Sequence, residues 1–258
     1  MATLSKATRS RATARGQGKR AELRFPDTGH ARNYCQIALE YAREAVADKR
    51  QRRHCKWVRL AALRHLNDLK RARRNDWPFS FDPWHGNDIC DFIEKLPHVE
   101  GQWDTPTIAL EPAQIFILST VFGWRRRDNG FRRFTQVYEE LARKNAKSTK
   151  TAGITLYSLA CENEPGPQVL CAATTFDQAK KVFYPAKRMV EKTPALQEAF
   201  GLVAWAKSIT CADSGGYVQP IHARSKSQDG HNPHVVTFDE FHAHVDRGLF
   251  DVLRSAFG

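Results

Sequence analysis

The stretch Ala142–Thr149 reads ARKNAKST and lies between a candidate strand, Phe134–Leu141, and a strongly apolar helix, Ser148–Cys161. A loop at such a strand-to-helix junction points its backbone N–H groups and the helix N-terminus at bound phosphates. In that arrangement Lys147 contacts the outer phosphates of a nucleotide, and the Ser148 hydroxyl ligates Mg²⁺. Taken alone the motif is weak, because Lys-Ser-Thr is more often a capped helix start.

A second stretch, His234–His244, reads HVVTFDEFHAH and predicts a buried strand that ends in two acids. At the carboxyl end of such a strand Asp239 is placed to hold Mg²⁺, and Glu240 to polarise an attacking water. An ordinary strand end is the simpler reading of either acid. Lys147 and Asp239 are 92 positions apart, which leaves room for several strands and helices between two motifs of one site. The pair therefore predicts a site for ATP and Mg²⁺.

Histidines around the second motif raise the alternative of a transition-metal site, which needs suitably spaced His, Cys or carboxylate ligands. They are His231, His234, His242 and His244. His242 and His244 occupy alternate positions just after the end of a predicted strand, and no cysteine lies close to them in the sequence. We therefore favour loop histidines around a nucleotide site.

From residue 131 onward strands alternate with helices, which predicts an α/β fold with a mainly parallel sheet flanked by helices. The predicted elements after the loop are strands at Gln168–Thr174, Leu202–Thr210, Tyr217–Ala223 and His234–Phe238, and a helix at Phe176–Lys192. Upstream, helical spacing of apolar residues predicts helices across residues 31–74, at Asn87–Lys95 and at Leu110–Trp124. In the first of these regions the apolar positions are Ile37, Tyr41, Ala45, Trp57, Leu60, Leu63 (or Arg64) and Leu66.

Positive charge is concentrated at the start of the chain. Residues 1–74 carry 20 Lys and Arg against 6 Asp and Glu, and the remaining residues carry 20 against 22, which together give the formal net charge of +12. An excess of 14 positive charges beside a body of two net negative charges suggests an anionic partner, most often nucleic acid. A solvated helix surface is the simpler alternative. For the acid-poor residues 1–24 we expect a disordered basic tail, although a mitochondrial transit peptide also fits.

Composition argues against several other classes of protein. Hydrophobic residues make up 41% of the chain, which argues against wholesale disorder. The longest apolar run, Ile115–Trp124, is about half a membrane span, so no transmembrane helix is expected. The six cysteines include no C-x-x-C pair, which argues against a zinc ribbon or a disulfide framework and favours a reducing cytoplasm.

Several motifs occur in an order that resembles the N-terminal ATPase half of tailed-bacteriophage terminase large subunits. From about Phe79 onward they are FSFDP, FIEKLPHVEGQW, LEPAQIFILSTVFGWRR, RRFTQVYEELARKNAKST, DGHNP and VVTFDEFHAH. The resemblance implies a P-loop ATPase motor that packages viral DNA into the capsid in the cytoplasm of a bacterial host. It also implies as partners double-stranded DNA, the capsid portal, the small terminase subunit and other large-subunit copies, without a membrane.

The resemblance also assigns roles to single residues. It implies that Gln114 contacts adenine and that Arg143, which opens the family's variant Walker A loop, binds the γ-phosphate and assists catalysis. Asp239 matches the Walker B aspartate and Glu240 the catalytic glutamate. The implied ATP-binding set is Gln114, Arg143, Lys144, Asn145, Ala146, Lys147, Ser148 and Thr149.

Three departures from the family pattern stand out. Ala113 replaces a frequent aromatic residue before the glutamine. Ala146 replaces the usual glycine of the loop, so its methyl group is expected to crowd the phosphates. Glu139 places a charge where the predicted strand is expected to be buried, unless it lies at the exposed end of that strand.

The family continues beyond Walker B with further strands, a coupling motif and a nuclease domain, whereas 18 residues follow Glu240 here. We therefore expect a fragment or a truncated gene product with an incomplete sheet and no nuclease activity. The predicted division is a basic tail (1–24), a helical and loop-rich N-terminal region (25–110) and a P-loop ATPase domain (111–258). Two alternatives remain: a helicase-like ATPase, suggested by the DEFH box but lacking its GKT loop, and a catalytically dead DNA-binding remnant.

Overall fold

The computed structural model describes residues 23–142, 145–222, 230–243 and 247–256. Its helices are α1 (Tyr34–Ala47), α2 (Lys56–Arg71), α3 (Pro83–Glu94), α4 (Pro112–Gly123), α5 (Lys147–Ala160), α6 (Phe176–Glu191), α7 (Pro194–Phe200) and α8 (Gly248–Ser255), with a 3₁₀ turn at Phe241–Ala243. Its strands are β1 (Phe79–Phe81), β2 (Trp124–Arg126), β3 (Gln168–Ala173), β4 (Leu202–Ala204), β5 (Ile209–Cys211), β6 (Gly216–His222) and β7 (Pro233–Phe238). Within these ranges no helix combines the length and the apolar character needed to cross a membrane.

The main sheet has the strand order β4-β5-β6-β3-β7, while β1 and β2 form a separate antiparallel pair. The central strand β3 is parallel to both β6 and β7, and β4, β5 and β6 form an antiparallel meander. The predicted α/β fold is thus confirmed, with its parallel pairing at the centre. Because parallel strands end at the same edge, the residues that directly follow β3 and β7 come together there.

Strand β3 is buried on both faces, as the unbroken apolar run VLCAA that follows Gln168 predicts. Val169 and Cys171 belong to the large core that also contains residues of α5 and α6. Leu170 and Ala172, which alternate with them, pack on the opposite face against residues of β6 and α8. The sheet is therefore covered by helices on both sides around the strand that carries the site.

The position of α5 is fixed by close packing against α3. A Cβ atom placed on Gly153 of α5 would lie only 2.8 Å from Cγ1 of Ile93 on α3, so a glycine is required for this approach. The same core continues through α1, α4 and α6, where Val182 and Phe183 are buried. The N-terminal helices and the sheet therefore share one continuous core, which holds the start of α5 at the edge of the sheet.

Three sequence-based expectations about the elements need correction. Residues 134–141 form no strand, because no backbone–backbone hydrogen bond joins them to another segment among the described residues. The single strand expected at Leu202–Thr210 is split by a tight turn, in which Trp205 N–H donates to Ser208 O at 2.8 Å, into β4 and β5. The helix expected from Asn87 begins at Pro83, because the Asp82 carboxylate caps it by accepting from Trp84 N.

Helix α2 forms where the apolar spacing predicts it, but it buries a different face. Trp57, Leu60 and Leu63 are exposed by 72%, 45% and 41%. The buried face instead carries Ala62 and His65, whose Nδ1 accepts a hydrogen bond from Trp124 Nε1 at 3.1 Å. Apolar residues occupy both faces of this helix, so their spacing predicts the helix and not the side that is buried.

Candidate nucleotide-binding site

Lys147 is the first residue of α5, at the edge of the sheet where the parallel strands end. The preceding residue, Ala146, has φ 52° and ψ 27°, which is the left-handed conformation that favours glycine. An alanine in this conformation costs about 1–2 kcal/mol relative to a glycine. The loop therefore keeps a backbone shape that a glycine adopts without strain, although its sequence carries a methyl group.

The structure brings Lys147 together with both acids that follow β7. Its Nζ atom lies 3.2 Å from Asp239 Oδ1 and 3.3 Å from Glu240 Oε1. Asp239 is held by its own backbone, because its N–H donates to Ala172 O at 3.2 Å and so extends the β3–β7 ladder by one bond. Glu240 has a positive φ of 48°, so the chain turns sharply there and both carboxylates face the start of α5.

In this cluster one positive side chain, Lys147, faces two negative side chains, Asp239 and Glu240. Burial alone would lower the pKa of Lys147, but the hydrogen bonds and negative charges of Asp239 and Glu240 outweigh it and raise the pKa above its usual value. The side chain of Asp239 is 10% exposed, whereas those of Lys147 and Glu240 are 34% and 41% exposed. Lys147 is therefore charged at neutral pH, and a ligand can reach it from solvent.

The oxygen atoms near Lys147 suit a hard divalent cation. Mg²⁺ is held in proteins by one or two carboxylates together with substrate phosphates. Asp239, which is nearly buried and anchored to β3 through its backbone, supplies such a carboxylate, and Glu240 supplies a second one nearby. The residues present therefore fit a Mg²⁺ ion once Lys147 has turned towards phosphate.

Ser148 follows Lys147 in the first turn of α5 and borders an open cavity of about 410 Å³. The exposed face of α6 contributes Lys180, Lys181, Tyr184 and Arg188 to the same cavity. Lys180 is paired with Asp177 at 3.2 Å. The start of α5 is therefore open to solvent on the side that faces α6, with positive charge around the opening.

A family model for the ATPase domain of the terminase large subunit matches residues 112–257. The chain belongs to this family. The crystal structure of the HK97 bacteriophage large terminase superposes with a TM-score of 0.53 at 24% sequence identity, which supports the fold. The match covers 66% of this chain and 34% of the HK97 chain, so this chain spans about a third of that protein. No curated protein matched the sequence.

Of the other residues that the terminase resemblance assigns to ATP binding, some form local hydrogen bonds and some lie outside the described residues. Gln114 caps its own helix, since its Oε1 atom accepts from Glu111 N at 2.9 Å, and no hydrogen bond joins it to a described residue of the phosphate loop. Arg143 and Lys144 lie outside the described residues. Asn145 Nδ2 donates to Ala142 O at 3.0 Å within the loop. The adenine contact of Gln114 and the phosphate contact of Arg143 stay predictions.

The histidines considered as metal ligands have separate partners. His234 Nε2 lies 2.9 Å from Glu162 Oε2, and His231 Nδ1 lies 3.4 Å from Gln168 Oε1. His242 Nδ1 lies 3.5 Å from Glu240 Oε2, and His244 is outside the described residues. In the part of the chain that the structure describes, no three His, Cys, Asp or Glu side chains are grouped as metal ligands.

One contact beside the site was missed at the sequence level. Lys150 of α5 forms an ion pair with Glu139, which lies in the extended segment before the phosphate loop. The sequence predicts for Glu139 only a charge that does not suit a buried strand unless it lies at the exposed end of that strand. Lys150 itself could have indicated this contact in the sequence. It lies one turn after Lys147 on the inner side of an apolar helix, and a buried charge there requires a partner.

Proposed function

We propose that this terminase-family chain is the ATP-hydrolysing part of a motor that packages viral DNA into a capsid. The observation that carries the proposal is the contact of Lys147 with Asp239 and Glu240 at the end of the parallel strands. A lysine at a helix N-terminus, close to acids at the end of a neighbouring strand, is the arrangement that P-loop enzymes use for ATP hydrolysis.

In this proposal Lys147 exchanges its two carboxylates for the outer phosphates of ATP. The phosphates also accept hydrogen bonds from the free N–H groups at the start of α5. The exchange releases Asp239 and Glu240 from the lysine, and Asp239 and the Ser148 hydroxyl are the groups that would hold a Mg²⁺ ion. When bound, the ion neutralises charge on the phosphates.

Glu240 acts on the water in this mechanism. It is the more exposed of the two carboxylates, so it can accept a hydrogen bond from a water in line with the γ-phosphate. Arg143, placed by the family resemblance, binds the γ-phosphate and stabilises the charge that develops in the transition state. Lys147 supplies positive charge on the same side.

DNA and the other partners belong to the proposal through the family. Double-stranded DNA is the transported substrate. The excess of positive charge in residues 1–74 is opposite in sign to the charge of its phosphates and would attract them. The portal, the small subunit and other large-subunit copies complete the motor in the host cytoplasm. The domain division at residues 24 and 110 also remains part of this proposal.

The test is binding of Mg·ATP and its DNA-stimulated hydrolysis by the chain. Lys147→Ala should weaken Mg·ATP binding about 10- to 100-fold, because charge-assisted hydrogen bonds to phosphate are lost. Lys95→Ala is the matched control, since Lys95 is also an ion-paired lysine at a helix end, 2.6 Å from Asp91, on α3. Equal affinity of wild type and Lys147→Ala would refute the site. A chain that binds no ATP would favour the alternative of a DNA-binding remnant.

A further inference from the structure

The segment that leads into the phosphate loop is held at few points. No backbone–backbone hydrogen bond joins residues 134–142 to any other described residue. At its start Phe134 packs beside Trp124, with the Arg64 guanidinium 4.9 Å from its ring centre. Between residues 135 and 142 every residue is exposed except Glu139. The position of the segment near the loop therefore depends on what Glu139 contacts.

Glu139 contacts Lys150, which is deeply buried. The Lys150 side chain is 2% exposed and its Nζ atom pairs with Glu139 Oε1, while the Glu139 side chain is 21% exposed. Lys150 has no other ion-pair partner among the described residues. Removing one partner of such a pair leaves a charge buried without compensation, which is strongly unfavourable. The pair is therefore a strong constraint on the geometry of both segments.

The pair closes the chain around the phosphate loop. Glu139 lies eight positions before Lys147, and Lys150 lies three positions after it. Lys150 is also tied to the loop through its backbone, because its N–H donates to Ala146 O at 3.0 Å. The entry and the exit of the loop are thus joined by one side-chain contact.

We propose that Glu139 and Lys150 are positioning residues that set the geometry of the phosphate loop for nucleotide binding. This inference rests on the proposed function, since it gives the loop at Lys147 the role of binding ATP. It explains why a glutamate lies in the exposed segment and why a lysine lies on the buried side of α5. Neither residue touches the nucleotide in this proposal.

The test compares Mg·ATP affinity across variants of the full chain. Glu139→Gln removes the charge and should weaken binding about 10- to 100-fold, as expected when binding groups are misplaced by about 1 Å. The double variant Glu139→Lys/Lys150→Glu restores an ion pair with reversed polarity and should recover affinity to within a few-fold of wild type. Amide exchange of residues 140–146 should be faster in Glu139→Gln and return towards wild type in the double variant.

The matched control is Glu162→Gln at the other end of α5. Glu162 is also a carboxylate in an ion pair that is shielded from solvent, with Arg132 at 3.4 Å, but it lies just past the end of α5 that is remote from Lys147. Its substitution should lower the melting temperature without changing Mg·ATP affinity. Equal loss of affinity in Glu139→Gln and Glu162→Gln would overturn the inference, because both would then act through stability.

The remaining outcomes separate this inference from the proposed function. If Lys147→Ala loses affinity and Glu139→Gln does not, the positioning role is wrong and the nucleotide site stands. If Lys147→Ala leaves affinity unchanged, the site is wrong, and the positioning role is wrong with it. Loss in both, with recovery in the double variant, supports both.

Discussion

The two ends of α5 carry ion pairs built from similar residues, and their surroundings differ. At the N-terminal end Lys147 faces Asp239 and Glu240, and the lysine and the glutamate are each exposed by about a third or more. Just past the C-terminal end Glu162 is only 7% exposed and contacts both Arg132 and His234. In the first cluster one lysine contacts two acids, and His242 also lies 3.5 Å from Glu240. In the second, one acid contacts an arginine and a histidine. The clearer difference between the two is the exposure of their side chains.

Under the proposed function, this difference distinguishes a cluster that binds a ligand from one that stabilises the fold. Water and phosphate can reach the charges of Lys147 and Glu240, which are partly exposed, so the cluster of Lys147, Asp239 and Glu240 is here called the open cluster. The cluster of Glu162, Arg132 and His234, here called the closed cluster, is less accessible to a ligand, because the Glu162 side chain is only 7% exposed and its Oε2 atom already contacts both basic groups. A helix with one end of each kind is held firmly by its C-terminal end while its N-terminal end remains available for binding.

The largest expected effect is on turnover at the open end. Glu240→Gln should lower DNA-stimulated ATP hydrolysis about 100- to 10,000-fold, because the water loses its hydrogen-bond acceptor. Mg·ATP affinity should be retained, since Lys147 still reaches the phosphates. Steady-state hydrolysis and nucleotide titration measure the two effects separately. Glu140→Gln, an exposed neighbour of Glu139, is the control. Unchanged turnover in Glu240→Gln would remove this residue from the mechanism.

The second effect is on stability at the closed end. Glu162→Gln should lower the free energy of unfolding by about 3–5 kcal/mol, because Arg132 loses the partner of its partly buried charge. His234 also loses its carboxylate at 2.9 Å. Urea unfolding followed by circular dichroism measures the change. A loss as small as that of an exposed pair would show that the closed cluster does not hold the helix.

The open end could be predicted from the sequence and the closed end could not. Lys147, Asp239 and Glu240 lie at a helix start and a strand end, and local periodicity locates both kinds of boundary. In a parallel sheet such boundaries meet at one edge, so the motifs predict the contact. The partners of Glu162 come from distant segments with no motif of their own, and only the packing of α5 brings them together.

The same reasoning explains which elements were predicted. The strands β3 and β7 are short apolar runs bounded by polar residues, and they appear as expected. Residues 134–141 also contain residue types that favour a strand, but a strand needs a neighbour as well, and local composition does not say whether one is present. Local sequence therefore predicts well which segments tend to form strands, but predicts poorly which strands pair with each other.

A third, smaller effect concerns the open end without ligand. Lys147→Met should change the free energy of unfolding by less than about 1 kcal/mol, because partly exposed ion pairs contribute little to stability. Lys150→Met is the contrast, since the side chain of Lys150 is 2% exposed and its loss leaves Glu139 without a partner. Unfolding of both variants in nucleotide-free buffer gives the comparison. A larger loss for Lys147→Met than for Lys150→Met would reverse the assignment of the open cluster.

The smallest effect is the acid dependence of the closed end. Burial alone would raise the pKa of Glu162, but the hydrogen bond with His234 and the charge of Arg132 outweigh it and hold the pKa below its ordinary value of 4.5. A carboxyl whose pKa is lowered by folding stabilises the folded state above its unfolded pKa, and this contribution is lost as the pH falls through the folded pKa. The stability gap between wild type and Glu162→Gln should therefore be constant above about pH 4.5 and shrink below it. Unfolding measured across this range, repeated in a His234→Gln background, separates the carboxyl from the imidazole that faces it. A gap that persists in acid would mean that Glu162 stabilises the chain by packing and not by charge.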